Sequence, residues 1–444
     1  MAGVLEGPLP PPIAMPVAPD PSSSSPLDRR TTLKAGAGLA ALATAASASG
    51  LAAPARGSDT VRVGVIGCGG RGSGAAVNCV DSSEGVEIVA MGDLFEDRLQ
   101  SSRQNLVNEL GEAVKVTDDS AYVGWDAYEK VIARDDVDLV ILATPPHFRP
   151  IHLEAAIAGG KHVFMEKPVA VDPAGIRKVI AAAKSAKEKG LGIVAGTQRR
   201  HQRSYIETIQ RIHDGAIGEV VGGSCYWNMG SLWMKPRKDD WTDMEWQLRN
   251  WLYFTWLSGD HICEQHIHQH DVMNWVVGAT PLRATGMGGR EVRTDEAYGN
   301  IFDHHAVEYE YPGGVYVHSY CRQIQKNANR VDERVIGTNG FARPGGRLEG
   351  PNAWRYENQG DPSPYQQEHT DLIASIRAGE PLNEGIQVAH STLTAIMGRM
   401  STYSGQTVTW EQALNSELDL SPAAYEFGPI ETRPVAVPGV TPVG

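Results

Sequence analysis

Val61-Arg62-Val63-Gly64-Val65-Ile66 runs directly into Gly67-Cys68-Gly69-Gly70-Arg71-Gly72. The first six residues are short, apolar and rich in β-branched side chains, which predicts a strand. The next six satisfy G-x-G-x-x-G. A glycine pattern alone is weak, but here its surroundings agree with it. A helix-compatible segment, Ser73 to Cys79, follows, and a second apolar run, Val86 to Met91, ends at Gly92-Asp93. Asp93 stands 21 residues past Gly72, the separation at which an acid meets the ribose hydroxyls of a dinucleotide. The glycines let the backbone approach a pyrophosphate, whose charge suits the N-terminus of the following helix. Gly67, Gly69, Arg71, Gly72 and Asp93 are therefore candidate cofactor residues. Asp93 would repel a 2′-phosphate, so the expected cofactor is NAD rather than NADP, tightly bound.

Two further strand signals lie downstream. Asp138 to Ala143 leads into Thr144-Pro145-Pro146-His147, and His162 to Met165 leads into Glu166-Lys167-Pro168. Pro150 to Gly160 between them reads as a helix closing on a glycine pair. Strands alternating with helices imply a parallel sheet, whose ligands bind beyond the strand C-terminal ends. Thr144, Pro145, His147, Glu166 and Lys167 all fall at such ends.

These features together resemble the Gfo/Idh/MocA oxidoreductases, which include glucose-fructose oxidoreductase and inositol dehydrogenase. The glycine loop, Asp93, Thr144-Pro145, Ala158-Gly159-Gly160-Lys161-His162-Val163 and above all Glu166-Lys167-Pro168 carry the likeness, from about Thr60 to about Ser421. The resemblance implies an α/β fold: an N-terminal Rossmann dinucleotide-binding domain, residues 60–197, followed by an α+β domain with a large, mostly antiparallel sheet, residues 198–421. It implies that Lys167 reaches both nicotinamide and substrate hydroxyl and that Glu166 sits near the nicotinamide ribose. Lysine chemistry agrees, because a lysine buried beside a cofactor can have its pKa lowered enough to relay protons.

Gln198, Arg199 and Arg200 follow the apolar run Leu191 to Ala195, so this polar cluster also leaves a strand end. By resemblance it adjoins the nicotinamide, with Gln198 and Arg199 as cofactor contacts. Apolar or alternating runs at Val220 to Trp227, Ala306 to Tyr311, Val315 to Cys321 and Glu333 to Gly337 predict the second sheet. The resemblance makes that sheet the floor of a sugar cleft and a homo-oligomer interface.

The segment from Gly259 to Gly278 holds four histidines within ten residues. His268, Asp271, Trp275 and Gly278 keep the spacing that the family shows around its catalytic His, which implies that role for His268. Glu264 stands where the family usually has Asp, and His266 where it has Gly. Glu264 would orient or polarise His268. His266 joins Lys167, His268, Trp251 and Tyr365 as a substrate residue. His266 and His270 share a helical face, and His266 and His268 share an extended one, so either pair has chelating geometry. A Lys/His proton relay with a nicotinamide needs no metal, and none is expected. Trp241, Trp246, Trp251, Tyr253 and Trp256 suit either stacking on sugar rings or an ordinary apolar patch. Tyr356, Tyr365 and His369 precede a helical pattern, Asp371 to Ala378, and are placed to close the cleft.

The remaining composition sets bounds. The 444 residues carry 53 acidic and 40 basic side chains, a net charge of −13, which argues against gripping a nucleic-acid backbone. Five cysteines without a CxxC pair suggest free thiols. Residues 1–55 are rich in proline and contain Arg29-Arg30-Thr31-Thr32-Leu33-Lys34 followed by an Ala/Gly-rich uncharged run. That is the pattern of a twin-arginine export signal, cleaved after Ala48 or Ala55, and the expected destination is the periplasm with no membrane attachment thereafter. The Pro-rich segment 422–444 is expected to be an extended tail lying on a neighbouring subunit. Outside the cytosol free NAD is scarce, so two chemistries remain open. One is hydride transfer with a sugar or polyol. The other is redox-neutral cleavage of a glycoside by oxidation, elimination, water addition and reduction.

Overall fold

Two sheets organise the residues that the computed structural model describes, 60–444; the expected leader with Arg29 and Arg30 lies outside them. The first sheet contains β1 (Val61–Ile66), β2 (Val86–Asp93), β3 (Ala121–Val123), β4 (Leu139–Leu142), β5 (His162–Met165) and β6 (Ile193–Ala195). Their order is β3-β2-β1-β4-β5-β6, and all five pairings are parallel. The sequence direction of the winding reverses between β1 and β4, which opens a crevice there at the strand C-terminal ends. All four side chains of β4, Leu-Val-Ile-Leu, are buried, as a strand covered by helices on both faces requires.

On one face the helices Gly70–Ser82 and Glu96–Leu110 bury Ala75, Ala76, Cys79, Leu99 and Leu106 against Val63, Val65, Ile88 and Ile141. The helix Pro364–Ala378 adds Leu372 and Ile373 to the same core, so the layer around β1–β6 draws on residues far beyond 197. On the other face lie the helices Arg149–Ala158 and Pro173–Glu188. The start of the latter is well specified: Pro173 occupies the first turn, and Asp172 caps it by accepting from the Gly175 N–H at 2.7 Å.

The second sheet has nine strands: β7 (Val220–Met229), β8 (Arg283–Gly289), β9 (His304–Tyr311), β10 (Val315–Gln323), β11 (Arg330–Gly337), β12 (Gly340–Arg343), β13 (Arg347–Glu349), β14 (Trp354–Arg355) and β15 (Val408–Thr409). Their order is β14-β13-β12-β11-β7-β10-β9-β8-β15. β7 and β10 pair in parallel, and every other pairing is antiparallel. β10 alternates buried and exposed residues along nearly its whole length. Its inner residues pack under the helices Ile267–Val277 and Gly385–Ser404, and its outer ones leave Tyr316 and Tyr320 exposed.

The helix anticipated from Asp371 begins earlier, at Pro364. Proline at the first helical position is favourable rather than breaking. Tyr365 and His369 consequently lie inside the helix. The segment after Ser421 runs against its own chain: the Gly428 carbonyl accepts from the Met244 N–H at 3.1 Å, and the Tyr425 hydroxyl meets His147 Nε2 at 2.8 Å. All five cysteines are buried free thiols. No helix among the described residues is long and apolar enough to cross a membrane.

Candidate active site

The turn after β1 is shaped by steric necessity. Gly67 has φ +97°, and a Cβ placed on it would lie 2.5 Å from the Thr144 nitrogen. A Cβ on Gly72 would lie 1.8 Å from the Gly67 carbonyl oxygen. The loop therefore seats the following helix directly on β1 and β4, with glycine the residue that fits both places. Gly69 caps that helix without a side chain, and a Cβ on Gly70 would meet nothing within 4 Å. The first turn of the helix thus has no side-chain cap and room at Gly70, as a pyrophosphate cradle requires.

Asp93 closes β2 beside this turn. Its Oδ2 accepts from the Cys68 N–H at 2.6 Å and its Oδ1 from the Phe95 N–H at 2.8 Å. Burial raises its pKa, against the lowering by those two N–H groups and by Arg98. Each oxygen keeps a lone pair, so the backbone bonds hold the carboxylate in place without exhausting it. At the end of β4, Thr144 Oγ1 lies 3.3 Å from His152 Nδ1. Pro145 starts the short turn that carries His147, and burial pushes the His147 pKa down to about 4. Arg149, fully buried, donates to the carbonyls of Leu142 and Thr144 at 3.0 and 2.8 Å and braces that strand end.

β5 leads into Glu166 and Lys167. Glu166 is buried and pairs with Arg71 Nε at 2.6 Å. The Arg71 guanidinium also stands over the Tyr365 ring at 5.2 Å, and the Tyr365 hydroxyl accepts from Gln198 Nε2 at 3.2 Å. A continuous bracket thus joins the glycine loop, β5, the segment after β6 and the helix Pro364–Ala378. Lys167 precedes a cis peptide bond to Pro168. Its Nζ donates to Glu264 Oε1 at 2.9 Å and also to the Glu264 backbone carbonyl. His268 lies close enough for the charges of Lys167 and Arg199 to act on it. Burial and those two cations hold its imidazole well below the ordinary value, so it is neutral. The ring stacks on Trp227, with centroids 5.7 Å apart. Lys167, Glu264 and His268 are therefore brought together beside the C-terminal end of β5.

Three assignments are corrected by the geometry. His266 is fully buried between its helix and the sheet, its Nε2 2.7 Å from Ser319 Oγ, so it does not face a substrate cleft. His266 and His270, one helical turn apart, share a side of the helix, whereas His268, two residues from each, faces another way. Arg199 is drawn off into an ion pair with the buried Glu333, Nη1 to Oε1 at 2.5 Å, and stacks over Tyr205; a buried carboxylate holds it there. Trp251 packs against Trp233 at the edge of an apolar cluster, and Trp246 and Trp256 are core within it together with Phe95, Phe148 and Phe254. Arg200 pairs with Asp271 at 2.8 Å and covers Trp275, so these two positions anchor the helix that carries His268.

One residue escaped sequence reasoning. Glu368 is wholly buried, neither carboxylate oxygen has a hydrogen-bond partner among the described residues, and burial plus Glu166 raise its pKa well above the ordinary value. It comes within reach of the Glu166 charge from a helix almost 200 residues after β5, and no local pattern could have signalled it.

Comparison with known proteins agrees with this architecture. The model of the Gfo/Idh/MocA oxidoreductase family, NAD-binding Rossmann fold, matches residues 61–192, and that of the Gfo/Idh/MocA C-terminal domain matches residues 205–343. A glycosyl hydrolase family 109 protein of Streptomyces coelicolor is 29% identical over 164 residues, covering 37% of this chain and 33% of that one. The 2,7-anhydro-N-acetylneuraminate hydratase of Escherichia coli is 27% identical over 196 residues, covering 43% and 47%. The chain spans about half the length, or less, of these two relatives. The aldose-aldose oxidoreductase of Caulobacter crescentus shares the fold, with a TM-score of 0.63 and 21% identity over 79% of this chain and 99% of that one. With both domain models matched in order and together spanning more than half of its length, and with the glycine cradle and the lysine at the end of β5 in place, the chain belongs to the Gfo/Idh/MocA oxidoreductase family.

Proposed function

We propose that this protein moves hydride between a bound nicotinamide cofactor and a carbinol or carbonyl carbon of a sugar or polyol. The observation that carries the reading is the Lys167–Glu264 pair just past the C-terminal end of β5, with the neutral imidazole of His268 beside it. When bound, NAD supplies the hydride acceptor or donor. Asp93 holds the ribose end and, by its charge, favours NAD over NADP. Lys167 Nζ binds the reacting oxygen and exchanges its proton. Glu264 fixes the ammonium, and His268 takes the proton onward. Lys167 and His268 also bind substrate, Tyr365 closes the cleft from the side of Gln198, and the outer face of β7–β11 serves as the subunit interface.

A second reading follows from two of the relatives. Glycosyl hydrolase family 109 and the anhydro-sugar hydratase favour a redox-neutral cycle in which a ring hydroxyl is oxidised, the neighbouring C–H is lost with the aglycone, water adds and the ketone is reduced. The twin-arginine pattern at Arg29-Arg30 supports either form of internal recycling, because an exported enzyme must regenerate its own cofactor.

The deciding experiment incubates purified protein, without added nicotinamide, with aryl glycosides and with free sugars. The expected preparation shows nicotinamide absorbance and turns over unaided. Aryl-glycoside cleavage without net NADH selects the hydrolase form, and paired oxidised and reduced sugars select the oxidoreductase form. A preparation that needs stoichiometric added NAD overturns internal recycling.

A further inference from the structure

Behind His268, on the sheet side of the same helix, four side chains converge on one point. His266 and His270 stand one helical turn apart and present Nε2 to Ser319 Oγ at 2.7 and 3.0 Å. Cys225 Sγ lies 3.8 Å from His266 Nε2. Ser319 and Cys225 are direct partners in the β10–β7 register, so sulfur and hydroxyl share one row of the sheet. Cys225, His266 and His270 have ligand atoms within 4.8 Å of one another, and all three are buried. With metal–nitrogen bonds of about 2.0–2.1 Å and a metal–sulfur bond of about 2.3 Å, a tetrahedron needs nitrogen-to-sulfur edges of about 3.5 Å and nitrogen-to-nitrogen edges of about 3.3 Å. The edge between His266 Nε2 and Cys225 Sγ, 3.8 Å, is within a few tenths of an ångström of that geometry.

We propose that Cys225, His266 and His270, with the Ser319 hydroxyl in the fourth position, form a structural zinc site that pins the helix carrying His268 to β7 and β10. One thiolate with two imidazoles is the donor set of a zinc site rather than of a magnesium or calcium site. The i, i+4 histidines are the helical half of such a site. Binding deprotonates the Cys225 thiol and releases that proton to solvent, leaving a net single positive charge. Glu333, the partner of Cys225 on its other side in the sheet, keeps a buried carboxylate next to it.

The neighbouring group of Asp260, His261 and His305 is a different case. Asp260 is already filled by the His261 ring and N–H, the Phe302 N–H and the Tyr403 hydroxyl. The zinc takes no part in hydride transfer, so the inference stands apart from the reaction proposed above. The Gln269 amide stands against the His266 ring, whereas Nδ1 of His270 has no hydrogen-bond partner among the described residues. Affinity should accordingly sit about 10–100-fold below that of sites whose imidazoles are held from behind.

The test is a titration of the purified full-length chain, stripped by chelator, with zinc and then with cobalt(II) as a spectroscopic probe. Expected are about one equivalent bound, release of a proton on binding, tetrahedral cobalt bands and a thiolate-to-cobalt charge-transfer band. Cys225→Ser should lose the charge-transfer band, His270→Gln should lose most of the uptake, and Cys79→Ser, in the first domain, should change neither. Folding of each variant is checked by its circular dichroism. If a variant fails to fold, the wild-type spectrum decides alone: cobalt uptake without a thiolate band, or no uptake of either metal, overturns the proposal. Elemental analysis that finds copper and no zinc in protein purified without chelator would overturn the identity of the ion.

Discussion

Arg71 Nε lies 2.6 Å from Oε1 of the buried Glu166, so an exposed residue of the glycine loop and the end of β5 are joined. Replacing Arg71 with Ala leaves a buried carboxylate without its cation and removes a positive charge from the pyrophosphate side. NAD affinity, read by fluorescence titration, should weaken about tenfold, equivalent to about 1.4 kcal/mol, with a smaller effect on the bound-state rate. Unchanged affinity would detach the bracket from cofactor binding.

Lys167 should separate chemistry from binding. Lys167→Ala is expected to lower turnover by about 10²–10⁴-fold, the range for a removed acid–base group, while NAD still titrates with wild-type affinity. Glu264→Gln should cost less, because the lysine keeps its bond to the Glu264 backbone carbonyl. Single-turnover measurements with loaded enzyme make the comparison, and full activity of Lys167→Ala would remove the residue from the mechanism.

The acid limb of the pH–rate profile should report His268. Burial, Lys167 and Arg199 all depress its folded pKa, so the imidazole stays neutral as pH drops through 6.5, where a free histidine would gain its proton. Activity should therefore hold level from pH 8 to below about 6 and fall only in more acidic solution. A midpoint near 6.5 in kcat would contradict the burial of the ring.

His201 gives a stability test with the opposite sign. Burial alone would lower its pKa, but its bonds to Asp371 and Glu384 prevail and raise it to about 10. A raised folded pKa contributes stability that is fully present below the unfolded value of about 6.5 and is lost as pH rises through about 10. Tm should thus decline over that interval, and His201→Gln should flatten the decline as well as lower Tm at pH 7. Parallel Tm curves for the two proteins would assign the alkaline loss elsewhere.

Local pattern carried the reading a long way where function depends on short segments. The strand β1, the glycine turn, Asp93 and the Glu166-Lys167 strand end are all contiguous signals, and each lies where a parallel α/β sheet binds ligands. The same holds for Val315 to Cys321, whose alternation lies within β10. Failures came where a side chain had two chemically plausible destinations. Arg199 next to a cofactor-binding turn is indistinguishable in sequence from Arg199 bound to Glu333, since the pairing joins residues 134 positions apart. His266 and His268 differ only in which way one helix faces. The helix Gly385–Ser404, almost wholly buried, shows little apolar periodicity because it is surrounded on nearly all sides.

β7 has a further consequence, for the order of events in folding. It is the first strand of the nine-stranded sheet to be synthesised, yet it sits at the centre, between β10 and β11. Neither partner exists until the chain has passed Val315 and then Arg330. The tryptophan-rich helices, β8 and β9 must all be made while the middle of the sheet has no neighbour. Such long-range closure is slow relative to local helix formation, and it makes the sheet assemble as one late cooperative step rather than strand by strand. Refolding from denaturant should therefore show early helical signal from the first domain, and the packing of Tyr309 and Tyr311 should arrive together with β7 at the end.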